Sequence, residues 1–275
     1  MESKFARRTL SVVFAALAAL SVYPLFWMAI NSFKVTTEIV TGGSFGIPRA
    51  ATFDNYIGAV FERNILKYFL NSVIVTSLTI LLTVLASSML AYALSRMAWR
   101  GRDRVASLVT LGILLPAQIV VVPVFILVRR LGLIDNPMSL VLSVSAFNVA
   151  MSTLIAMGFL RSIPFEMEEA AVIDGCGVWR VFFSVIMPII QPAVATMCVN
   201  IFLNSWNEFI YALTLINSES YRTLPVGLMA YAGRYGTDYG GLFAAMVITS
   251  VIPVAVYVLF SEQVEKALTA GAVLK

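Results

Sequence analysis

Six long apolar runs constrain this chain more than any other feature of its sequence. They cover about Leu10–Ile30, Phe69–Ser95, Val105–Val128, Met138–Leu160, Ile189–Leu213 and Gly241–Phe260. About 20 consecutive apolar residues suffice to cross a bilayer as a helix. Lipid offers no hydrogen-bond partners, so each run must satisfy its own backbone, and the helix is the single-segment way to do that. Hydrophobic residues make up 60% of the chain and charged residues 12%, against about 25% charged in an ordinary soluble domain. The expectation is an all-α polytopic membrane protein with six transmembrane helices, read as a single domain over residues 1–275. The first run follows Lys4, Arg7 and Arg8. It exceeds the apolar core of a cleaved signal peptide, and no small-x-small cleavage site follows it.

Six spans put both termini on one side. Lys4, Arg7 and Arg8 together with Arg96, Arg100, Arg102 and Arg104 assign that side to the cytoplasm. Arg129, Arg130, Arg222 and Arg234 in the outer loops oppose this bias without cancelling it. Between the first two spans, FDNYIGAVF (Phe53–Phe61) places Phe53, Tyr56, Ile57, Val60 and Phe61 on one helical face. That face either lies on the membrane surface or packs against neighbouring helices, and packing is the favoured reading.

Several chemistries are excluded. The chain has no histidine, and its two cysteines, Cys176 and Cys198, have no metal-site spacing. Without a Gly-Lys dipeptide there is no Walker-type ATP site. No basic stripe suggests nucleic acid. The expectation is a non-enzyme without a cofactor of its own, in which any ATP-driven work needs another subunit.

One polar island interrupts the apolar runs, RSIPFEMEEAAVIDGCGVWRVFFSVIMPIIQP from Arg161 to Pro192. Pro164 suits a first helical turn, and Glu166, Glu168 and Glu169 suit the positive end of a helix dipole. Asp174-Gly175 supplies a stop. Small side chains at Ala170-Ala171 allow another surface to approach the backbone. On these residues alone, a docking element and a loop that caps only its own helices remain equal alternatives.

The island also resembles the signature E-A-A-x-x-x-G, followed ten residues later by I-x-L-P, of the permease subunits of ATP-binding-cassette importers. Here it reads Glu169-Ala170-Ala171, Gly175, Val185, Met187 and Pro188, with Ile173-Asp174-Gly175 matching the sugar-permease form and Cys176 where alanine is usual. Asn31–Lys34, Asn71-Ser72, Ser205–Leu213, Tyr221–Leu228 and the tail Leu268–Val273 extend the resemblance to the smaller, maltose-permease-like partner of a heterodimer. The resemblance implies the type I importer permease fold with a cytoplasmic coupling helix in an inner membrane. It implies ATPase coupling through Glu169, Ala170, Ala171, Asp174, Gly175 and Pro188, with ATP and Mg on the ATPase. Implied partners are a second permease, two ATPase subunits and an extracytoplasmic solute-binding protein.

In the fifth run, Asn200, Asn204 and Asn207 share a helical face near Glu208. They are candidates for lining a translocation path, with interhelical hydrogen bonding as the plainer and favoured account. The aromatic, glycine-rich outer loop offers Tyr231, Arg234, Tyr235 and Tyr239 as binding-protein contacts by resemblance, or as membrane-interface anchors. Import of a di- or oligosaccharide is the leading expectation and a glycerol-phosphate-type substrate the alternative. An ion-coupled secondary transporter ranks lower, because Glu208 is nearly alone as a charge within the spans.

Overall fold

The computed structural model describes residues 4–233 and 236–260, with side chains from residue 9 onward. The longest apolar runs become the longest helices: α1 (Lys4–Asn31), α2 (Ile65–Arg96), α5 (Pro137–Leu160) and α9 (Tyr239–Leu259). Among the described residues these four are long and apolar enough to span a membrane, and two bent helix pairs raise the number to six. All six apolar runs are thus recovered, but two are not straight rods.

The third run divides into α3 (Arg102–Ile113) and the stretch Ala117–Arg130, which contains α4 (Val121–Arg130), and the two are bent by 98°. Pro116 causes the break. It lacks the N–H of a continuing helix and forces its predecessor out of helical geometry, and Pro116 itself is extended at ψ 124°. The fifth run begins earlier than composition suggested. The stretch Val178–Ile189 meets α7 (Gln191–Trp206) at 77°, because Pro192 denies a hydrogen bond to the preceding turn. The run also ends early: α7 stops at Trp206, and a separate short helix, α8 (Ile210–Leu215), completes it. Apolar composition continues through both breaks, so run length alone could not place them.

Residue contacts gather into two units. One joins Met1–Leu66 to Gly227–Val251, the two ends of the spanning region. Its small core sets the Trp27 ring edge-on to Phe243 at 5.0 Å, beside Met28 and Ile39. Beyond α1, Lys34 is fully buried, and its ammonium donates to Asn31 Oδ1 (3.1 Å) and to the carbonyls of Gly43 (2.6 Å) and Gly46 (2.5 Å). Asn55 donates to the carbonyls of Ser32 and Lys34, and Tyr56 shares a hydrogen bond with Ser32. The amino end of α9 packs into this knot. Thr36 donates to Asp238 (2.9 Å) and accepts from the Gly240 N–H.

In the same unit the Phe53–Phe61 segment departs from expectation. A π-helical turn over Gly58–Glu62 shifts the register, so Ala59 turns inward while Phe53, Ile57 and Phe61 stay exposed. The expected apolar face therefore packs only in part: Tyr56 and Val60 are half-buried, with the Tyr56 and Phe53 rings each 5.3 Å from that of Phe33, while Ile57 and Phe61 stay open.

The second unit, Lys67–Val226 with Ile252–Lys275, is built around α5. Asn136 caps that helix by accepting from the Met138 N–H, with Pro137 at its first position. Two-thirds of its most apolar window is buried. Ser139, Ser143, Ser145, Ser152 and Thr153 are buried along it, small residues of the kind that let membrane helices approach closely. One apolar cluster joins Tyr92 and Leu94 of α2, Ile155 and Leu160 of α5, and Phe182, Ile186 and Met197. Another joins Val75, Val128, Leu140, Tyr211 and Leu215. At 32 residues α2 is about 48 Å long at 1.5 Å per residue, well beyond the ~30 Å hydrocarbon core. The helix is therefore longer than a perpendicular crossing requires. At one end Tyr68 donates to Glu219 (2.8 Å) and Asn71 to the carbonyls of Ser220 and Arg222 (2.9 Å each). At the other end stands Arg96.

Candidate functional site

The polar island folds as a short helix, α6 (Glu166–Ile173), followed by a tight turn. Pro164 precedes the helix cap at Phe165, whose carbonyl accepts from the N–H groups of Glu168 (2.9 Å) and Glu169 (3.1 Å). The acidic first turn suits the helix dipole. At the far end Gly175 sits at φ +82°. There the Gly175 N–H donates to Val172 O and the Cys176 N–H to Ala171 O, both at 2.9 Å, the Schellman closure that a left-handed glycine permits.

The helix has two distinct sides. Glu168 is buried and Ala171 packs against the apolar cluster around Phe182, whereas Glu169, Ala170 and Asp174 are exposed. The two alanines therefore divide between the chain's own core and the open side. Gly175 and Pro188 are exposed as well. Large apolar side chains share the open side: Ile173 is 84% exposed, Val172 60% and Met167 45%. Close by in sequence, Trp179 and Phe183 stack at 6.3 Å and are also open.

On the inner side, Glu168 meets Arg96 from the end of α2, with Oε1 2.8 Å from Nε and the two side chains 11% and 5% exposed. The contact is one of charge rather than an aligned hydrogen bond. The other carboxylate oxygen accepts from the Tyr92 hydroxyl at 3.0 Å, one turn earlier on α2. Arg96 donates further to the carbonyls of Leu160 (2.7 Å) and Ile163 (2.6 Å), and its guanidinium lies 4.1 Å from the Phe165 ring centre. Removing one member of such a buried pair costs about 3–5 kcal/mol, because the other charge is left uncompensated. Sequence reasoning counted Arg96 only as a topology marker and Glu168 only as a dipole partner. The i, i+3 relation of Glu168 to Ala171 was the signal that both face inward.

The polar residues of the fifth run also separate. The Asn204 amide donates to Asn148 of α5 (2.9 Å) and to Asn200 (3.2 Å). Asn207 folds back onto the Leu203 carbonyl, and Glu208 caps α8 by accepting from the Tyr211 N–H at 2.8 Å. Asn204 and Asn207 are exposed, and Asn200 and Glu208 are half-buried. Asn148 is a buried member of this set that the same search for polar residues in apolar runs could have found.

In the outer loop, Tyr231 is buried, with the Arg63 guanidinium 5.3 Å from its ring centre. Tyr239, at the start of α9, is 39% exposed. Arg234 and Tyr235 lie outside the described residues, as does the tail Leu268–Val273.

Comparison with known proteins gives this arrangement its context. The sequence model of the family described as "binding-protein-dependent transport system inner membrane component" matches residues 83–270. The diacetylchitobiose uptake system permease protein NgcG of Streptomyces coelicolor is 36% identical over 252 residues, covering 91% of this chain and 83% of that protein. The arabinooligosaccharides transport system permease protein AraQ of Halalkalibacterium halodurans is 33% identical over 271 residues, covering 96% and 95%. The trehalose/maltose transport system permease protein MalG of Thermococcus litoralis is 30% identical over 277 residues, covering 99% of each. A chain in the crystal structure of a bacterial ABC transporter that imports the acidic polysaccharide alginate superposes with a TM-score of 0.81 at 22% identity, covering 96% of this chain and 99% of that one. The chain has the ABC importer permease fold and belongs to the family of binding-protein-dependent transport system inner membrane components.

Proposed function

We propose that the chain forms half of the translocation path of a sugar importer and that α6 is the helix on which a separate ATPase subunit docks. The exposed apolar side of α6 carries this reading. Ile173 and Val172 stand open beside the Gly175 turn, and apolar side chains clustered on a polar loop mark a surface that a partner covers. Glu169, Ala170, Asp174 and Pro188 are themselves exposed, as a docking role requires. ATP and Mg belong to the ATPase, which leaves this chain a transport subunit without catalytic residues. Two ATPase copies, a second permease and an extracytoplasmic solute-binding protein complete the assembly. Both termini of this chain face the cytoplasm. Relatives named for diacetylchitobiose, arabinooligosaccharides and trehalose/maltose favour a di- or oligosaccharide as the transported solute.

The test is co-purification of the cognate ATPase with wild-type chain, Gly175→Leu and Glu169→Lys. A β-carbon at Gly175 meets nothing within 4 Å, so leucine there strains only the left-handed backbone of the turn. Both variants should reach the membrane at normal levels while losing most of the bound ATPase. Full ATPase recovery with both would refute the docking role. Titrating the cognate solute-binding protein with oligosaccharides tests the substrate class, and the absence of saturable sugar binding would refute it.

A further inference from the structure

Resting on that docking reading, we propose that Arg96 and Glu168 are the positioning pair that transmits movement of α6 to α2 and α5. Three features of the pair favour this role over that of a surface ion pair. Both members are nearly closed to solvent, so the charges have no water to fall back on if they separate. Both polar ends of the Glu168 carboxylate are engaged by α2, one by Arg96 and the other by Tyr92 a helical turn away, which fixes α6 against that helix at two points. Arg96 also holds the Leu160 carbonyl at the end of α5 and the Ile163 carbonyl in the connecting turn. One guanidinium thus ties together the ends of two spans and the docking helix.

The outward side of α6 is free to be gripped while its inward side is fastened. A partner that displaces the exposed side must carry the carboxylate with it, and the carboxylate carries α2. That helix is continuous from Ile65 to Arg96, and its opposite end is hydrogen-bonded to residues 219–222 through Tyr68 and Asn71. Arg96 and Glu168 therefore begin a connection from the docking helix to the opposite end of α2. The partner-facing residues Glu169, Ala170 and Ile173 take no part in it.

The assembled complex is the material for the test, with Glu168→Gln, Arg96→Gln and the double variant reconstituted in vesicles with ATPase and binding protein. ATP hydrolysis and sugar uptake are measured on the same preparation. Glutamine keeps the shape of the carboxylate and can still accept from Tyr92, so the ATPase should co-purify at wild-type stoichiometry. Sugar transported per ATP should fall about tenfold in either single variant, with no further fall in the double. Wild-type sugar per ATP in Glu168→Gln would overturn the proposal while leaving docking intact, as would single losses that multiply in the double. Loss of ATPase from Glu168→Gln would overturn it differently, assigning Glu168 to docking itself. If the ATPase fails to bind even the wild-type chain, the docking reading falls and the transmission proposal falls with it.

Discussion

Replacing Gly240 with alanine tests the packing of the unit formed by the two ends of the spanning region. A β-carbon there would stand 2.5 Å from the Lys34 carbonyl oxygen and 2.8 Å from both amide atoms of the Asn55 side chain. Ordinary contact begins at 3.4 Å, so the backbones must part by roughly 0.9 Å. The Asn55 amide donates to that same carbonyl at 2.8 Å, and the displacement would break this bond, worth about 1 kcal/mol. Overpacking adds about 1–3 kcal/mol. Alanine returns at most about 1 kcal/mol of helix propensity relative to glycine. The net loss is about 1–3 kcal/mol, a fall of about 2–5 °C in melting midpoint for a chain of this size. Heating the purified protein and following the monodisperse size-exclusion peak measures it. Gly46→Ala is the matched control, because its backbone is extended at φ −96° and its β-carbon would meet nothing within 4 Å. Equal midpoints for the two variants would refute the close approach of α9 to the Lys34 carbonyl.

Lys34→Met should destabilise by about 3 kcal/mol in the same assay, since three acceptors lose the donor they share, at about 1 kcal/mol each; a midpoint within 2 °C of wild type would disprove the carbonyl cage. Asn204→Leu removes the bonds to Asn148 and Asn200 at about 0.6 kcal/mol each, so the midpoint should barely move. If Asn204 also touches the solute, the KM of uptake should rise several-fold, and an unchanged KM would restrict the residue to holding helices together.

Sequence reasoning succeeded where physics acts locally. Hydrocarbon forces each apolar run into a helix whatever surrounds it, so the spans could be read one at a time. The Asp174-Gly175 stop was equally local, because a left-handed residue suits glycine in any context. The bends at Pro116 and Pro192 were written in the sequence, but unbroken apolar composition on either side masked them. The division of α6 depended on more distant facts. Glu168 and Glu169 are chemically identical neighbours, and only Arg96 and Tyr92, more than seventy positions earlier, decide which of them turns inward. Tyr231 is a similar case, since composition placed it on an exposed aromatic loop while Arg63 holds it in the interior.

The unit that joins Met1–Leu66 to Gly227–Val251 bears on how the protein is made. The ribosome delivers Trp27, Thr36 and the Lys34 carbonyl early, yet their counterparts Phe243, Asp238 and Gly240 are among the last residues of the spanning region to be translated. Everything from Lys67 to Val226 is synthesised in between, with a core of its own to assemble. A chain halted before Tyr239 would keep that inner core but present an open first segment to the membrane's quality-control proteases. Closure of this unit waits for Phe243 and Gly240, so Trp27 and the Lys34 carbonyl find their partners only after everything from Lys67 to Val226 has been made.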